Sequence, residues 1–179
     1  MLRPALRFAT VTPTHLEAVL QDTLTVSTDP DAPTYLNNLL ITSNTSPDLV
    51  LLTAVDGNVW IKNIGTRTFS LRGDSMWQVQ QGVGGVAQFI LWSERSIDDG
   101  VTVTENPFSL REKSILNNGK SSWAVPSGVV NWLPQECIRW AMYNSGNGEL
   151  ILAPPSEVVN GGNTIAGVTL YWTLGEVQV

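Results

Sequence analysis

The feature that most constrains this chain is its rhythm of turns. Short apolar runs rich in branched and aromatic residues are broken at roughly regular intervals by clusters of Gly, Asn, Asp and Pro. The runs include TLTVS (23–27), LNNLLITS (36–43), DLVLLTAV (48–55), NVWIKNI (58–64) and TFSLRG (68–73). MWQVQQG (76–82), VAQFILWSE (86–94), VTVTEN (101–106), ECIRWAMYNS (136–145), GELILAPP (148–155) and TIAGVTLYWTLGEV (164–177) continue the pattern. Between them lie Asp29-Pro-Asp31-Ala-Pro33, Asp98-Asp99-Gly100, Gly146-Asn147-Gly148 and Asn160-Gly-Gly-Asn163. About ten to twelve strands fit this template, and the predicted fold is an all-β antiparallel sandwich or jelly roll. Asp56-Gly57 predicts a two-residue type I′ hairpin. Segment 48–55 is apolar on both faces, which predicts a sheet interior. Residues 107–121, the least regular stretch, predict a loop. No fixed-period repeat is visible, which argues against propellers and solenoids.

Residues 1–22 differ from the rest. Thr14-His15-Leu16-Glu17 has the form of a capping box, with Leu16, Val19 and Leu20 behind it, and predicts a helix of about two turns. Pro4 and Pro13 predict an extended arm before it. The expected division is an arm with a short helix over 1–22 and a β-sandwich domain over 23–179. Leu2, Leu6 and Phe8 are costly to leave in water, so they are expected to anchor the arm on a partner, with Arg3 and Arg7 as charge partners.

Composition narrows the function. Ten Lys and Arg against sixteen Asp and Glu give a net charge of −6 in 179 residues. That balance argues against nucleic-acid binding through a broad basic face. No apolar run approaches the ~20 residues of a membrane span. No continuous run of signal-peptide length opens the chain, so folding in the cytoplasm is expected. The single Cys rules out an intrachain disulfide and a cysteine zinc site; Cys137, at the start of an apolar run, is expected to be buried and inert. The single His, His15, is expected to be exposed at the helix start and makes a hydrolytic triad improbable. The pairs Asp29/Asp31 and Asp98/Asp99 read as turn residues, and Gly82-Val83-Gly84-Gly85 as a turn rather than a phosphate loop. The expectation is a protein with no catalytic residue, metal or cofactor.

Seven Trp remain. Trp60, Trp77, Trp92, Trp140 and Trp172 fall inside strand patterns and read as packing residues. Trp123 and Trp132 lie in the irregular stretch SSWAVPSGVVNWLPQE. They fit either an exposed sugar-stacking platform or core and interface anchors. Their neighbours Val125, Val129, Val130 and Leu133 favour the second.

The C-terminal run IRWAMYNSGNGELILAPPSEVVNGGNTIAGVTLYWTLGEV, with its Gly-Asn-Gly and Asn-Gly-Gly-Asn turns, resembles the small β-sandwich virion proteins of tailed bacteriophages. The resemblance covers about the last quarter of the chain and is one of style. It implies antiparallel strands, assembly as homotrimers, and attachment to a major capsid protein or other virion protein through the N-terminal segment. The length suits a capsid decoration (cement) or head-fibre protein better than a full fibre. The alternative is a receptor- or glycan-binding tip of a tail fibre or spike, reaching a host-surface glycan through Trp123 and Trp132.

Overall fold

A computed structural model describes residues 14–81, 85–115, 120–152, 154, 156–160, 163–165 and 169–176. The described chain is all-β. Its strands are β1 (Thr14–Leu20), β2 (Leu24–Thr25), β3 (Thr34–Tyr35), β4 (Leu39–Asn44), β5 (Leu49–Thr53), β6 (Val59–Asn63), β7 (Phe69–Gln81) and β8 (Ala87–Ser96). They continue with β9 (Thr104–Ile115), β10 (Lys120–Trp132), β11 (Cys137–Asn144), β12 (Leu150–Leu152), β13 (Ser156–Asn160), β14 (Asn163–Ile165) and β15 (Thr169–Glu176). No helix occurs among the described residues, so none is long and apolar enough to cross a membrane.

The strands form antiparallel sheets. A seven-stranded sheet runs β2-β12-β7-β15-β1-β4, with β10 on the other side of β7. A six-stranded sheet runs β5-β6-β11-β8-β9, with β3 also on β11; β13 and β14 pair as a separate ribbon. One hydrophobic cluster draws on both larger sheets. Leu16, Leu20, Phe69, Trp132, Leu150 and Leu152 come from the first; Leu49, Ile61, Phe89, Leu91, Ile138, Trp140 and Met142 come from the second. Each large apolar side chain buried there contributes about 1.5–3 kcal/mol.

Several expectations are corrected. The capping-box helix is strand β1, held between β15 and β4, with Leu16 opposite Trp172 and Ala18 opposite Leu170. Leu16, Ala18 and Leu20 alternate into the interior at period two. A capping box contributes about 1 kcal/mol, less than the burial of two leucines in an inner strand. The predicted loop at 107–121 lies largely in two long strands, β9 and β10. Pro126 and Gly128 hide the alternation of β10. Among the described residues β10 pairs only with β7, and its register shifts between Ser127 and Val130. An edge position and a bulge are where Pro and Gly are tolerated. The runs 68–73 and 76–82 are one strand, β7.

Segment 48–55 supplies β5, an edge strand rather than an interior one. Leu49 and Leu51 pack with the core. Leu52 sits opposite Trp60 on the outer face, which is itself covered. The Asp56-Gly57 hairpin has a three-residue loop. Ala54 N–H donates to Asn58 O (2.9 Å), and Gly57 N–H donates to Ala54 O (3.0 Å). Gly57 has φ +79° while Asp56 has no positive φ. This is a type I turn followed by a left-handed glycine, not a type I′ turn.

Candidate functional site

The outer face of the six-stranded sheet carries a buried ionic cluster centred on Arg139. Along β11, Ile138, Trp140 and Met142 enter the core, so Arg139 faces outward; yet it is only 6% exposed. Its register partner on β8 is Glu94, itself 4% exposed. Arg139 Nε donates to Glu94 Oε2 and Nη1 donates to Asp56 Oδ2, both at 2.7 Å. The guanidinium lies 3.8 Å from the Tyr35 ring centroid and 4.2 Å from that of Trp60. Trp92 Nε1 donates to Glu94 Oε1 (3.2 Å), and Trp92 meets Tyr143 edge-on at 6.0 Å. One cation is therefore matched by two carboxylates and two π-faces, the conditions under which a charge survives burial.

The cluster shifts its neighbours. Burial raises the Tyr35 hydroxyl pKa, and the negative charge of Glu94 adds to this while Arg139 opposes it. Burial alone would raise Asp56, but hydrogen bonds from the Asn58 side chain and backbone and from Arg139 outweigh it and hold the carboxyl below its ordinary value. Beside the cluster, Lys62 Nζ contacts Asp99 Oδ1 at 2.6 Å. Burial, reinforced by the nearby Asp99 charge, pushes the Cys137 thiol up to about 12. Cys137 is fully buried, a neutral and inert thiol as its sequence context suggests. Asp98 accepts from the Ser96 hydroxyl (2.7 Å) and Thr102 N–H (2.8 Å), and the Thr102 and Ser96 bonds bring it down to about 2. Asp29 Oδ1 accepts from Asp31 N–H (2.9 Å), the side-chain turn expected of it.

Trp132 is 1% exposed in this chain's own core, and its ring N–H donates to Glu136 O at 2.8 Å. It offers no ring face to a sugar or a partner. Trp123 lies on β10 opposite Trp77. Trp123 and Trp132 both lie on β10, and with Trp132 buried the two do not form an exposed pair. Leu2, Arg3, Leu6, Arg7 and Phe8 lie outside the described residues. His15 is half-buried on β1, in hydrogen-bond contact with Ser43 Oγ (2.7 Å). Among the described residues no three His, Cys, Asp or Glu side chains are grouped to hold a metal ion.

The sequence reading passed over Arg139. Its signal was an Arg between Ile138 and Trp140 in a strand apolar on both faces, where a charge needs a partner. What that signal lacked was the identity of Glu94, forty-five positions away. The fold and cluster define an all-β antiparallel protein with a buried ion pair on the outer face of one sheet. No protein-family model matches the chain, and no curated protein matches its sequence.

Proposed function

We propose that this chain is a structural virion protein of a tailed phage, of the capsid decoration (cement) or head-fibre kind, that acts through homotrimeric and capsid contacts and catalyses no reaction. The two larger sheets are read as the layers of a β-sandwich, because one core cluster joins them. The observation that carries the assembly reading is a set of three strongly exposed aliphatic side chains on two neighbouring turns. Val55 is 88% exposed in the β5–β6 hairpin, and Ile97 and Val101 are 73% and 71% exposed in the β8–β9 turn. The turns abut: a Cβ on Gly100 would stand 2.9 Å from the Ala54 Cβ. Grouped exposed aliphatics mark association surfaces, and a chain with only 15% charged residues suits extensive subunit contact. In the neighbouring ion-pair cluster the charged groups of Arg139, Glu94 and Asp56 are all paired, which suits a rigid support.

Light scattering at micromolar concentration tests this. A homotrimer is expected, and Val55→Asp with Ile97→Asp and Val101→Asp should weaken it without lowering the melting temperature. A stable monomer that also fails to sediment with intact particles would overturn the reading.

A further inference from the structure

We propose that the cleft between the β1–β2 connection and the β5–β6 hairpin binds a neutral saccharide. The cleft measures about 330 Å³ and is bordered by Asp22 and Thr23 on one side, Tyr35 of β3 at its wall, and Asn37, Asn38 and Asn58. Its volume falls at the small end of the ~300–1,000 Å³ typical of ligand sites, which suits a mono- or disaccharide. Most of its wall is carbon, with carboxamides and one carboxylate among it. A sugar ring has the matching character, with C–H faces between hydroxyls.

The polar groups are fixed before any ligand arrives. Asn37 Nδ2 donates to Asn58 Oδ1 (2.8 Å), while Asn37 Oδ1 accepts from Val59 N–H (2.9 Å). Asn58 Nδ2 donates to Asp56 Oδ2 (2.9 Å), the oxygen that also takes Arg139. The carboxamides of this side are therefore tied to the buried cluster. Across the cleft, Asn38 Nδ2 donates to Asp22 Oδ2, and Gln21 N–H donates to Asn38 O (2.9 Å). Among the described residues, Asp22 Oδ1 and Asn38 Oδ1 have no hydrogen-bond partner. They stand as acceptors beside the remaining Asn38 N–H, a set that matches hydroxyls, which both donate and accept. Rigid polar groups of this kind lower the ordering cost of binding. Among the described residues, no Lys, Arg or His lines the cleft, so they offer an anionic ligand no counter-charge. Asp22 is the single carboxylate among the described lining residues, which by themselves carry too little charge to hold a calcium ion. Binding here does not depend on the assembly reading.

The test is a glycan array carrying neutral and sialylated saccharides, probed with the full chain, followed by titration of each neutral hit. At least one neutral saccharide should bind with Kd on the order of 1 mM or tighter. Asp22→Ala and Asn38→Ala should each weaken it about tenfold or more. Thr23→Trp fills the mouth from an exposed position and removes no hydrogen bond to the core; it should abolish binding at an unchanged melting temperature. Silence of every neutral saccharide, binding confined to sialylated ones, or binding that survives Thr23→Trp would overturn the proposal.

Discussion

Arg139 shows what a single residue demands of its surroundings. With Glu94 it forms an ion pair whose side chains are 5% and 6% exposed. Arg139→Ala would leave Glu94 buried without its cation, and a loss of about 3–5 kcal/mol is expected in urea denaturation. Replacing both members together, as Arg139→Met with Glu94→Gln, should recover much of that loss, because the stranded charge is gone. If the double variant is no more stable than the single one, the pair is not the unit described. Two buried asparagines serve the loops in a similar way. Asn63 Nδ2 donates to Arg67 O (2.9 Å) and Leu133 O (3.1 Å) while its Oδ1 accepts from Gly65 N–H (3.1 Å). Asn144 Oδ1 accepts from Gln88 N–H (2.9 Å) and Gly146 N–H (3.0 Å).

Titration follows from the same residues. Asp56 and Asp98 both have folded pKa values below their ordinary 3.8, so their stabilisation is present above that value and is lost as pH falls through the folded values, which for Asp98 is about 2. Cys137 is raised from 9.0 to about 12, so its contribution is full below pH 9 and disappears as pH climbs through that interval. Denaturation midpoints measured against pH should therefore decline at both ends. Asp98→Asn should flatten the acid limb and Cys137→Ala the alkaline one. Limbs unchanged by these substitutions would assign the titration to other groups.

At the scale of elements, the turns decide how strands meet. Asp99 and Gly100 at the β8–β9 turn have φ +57° and +89°. A Cβ on Gly100 would also stand 3.0 Å from Trp60 Nε1, against a ring that is fully buried. At Gly57 the backbone is equally left-handed, but a Cβ there meets nothing within 4 Å. Gly57→Ala should thus cost about 1–2 kcal/mol for backbone conformation alone. Gly100→Ala should cost more, because steric crowding adds to the same backbone term. Melting curves of the two variants give the order directly, and equal losses would mean that the crowding at Gly100 relaxes freely.

For the whole molecule, the pairing of β1 makes the two ends of the chain interdependent. β1 lies between β4 and the C-terminal β15. Removing residues 1–12 leaves β1 whole and should preserve a cooperative melting transition. Removing residues 1–20 deletes an inner strand with Leu16 and Leu20, and the chain should lose that transition. Survival of the second truncation as a cooperative fold would show that β15 and β4 can close the sheet without β1.

The strands, their turns and the buried thiol were legible in the sequence because they rest on local chemistry: alternation, turn residues and an apolar context. The same local signals misassigned Thr14–Leu20, where a capping box and a strand alternation coexist in seven residues and only the neighbouring strands choose between them. They also left Pro126 and Gly128 looking like a loop, since edge position and bulge are properties of pairing. The cleft and the Arg139 cluster belong wholly to tertiary structure. Asp56, Glu94 and Arg139 lie far apart in the chain; the sequence around Arg139 asks for a partner but does not say which, and the two carboxylates read alone as ordinary charges. Only the register that sets Arg139 against Glu94, and the hairpin that brings Asp56 to them, joins the three charges into one network.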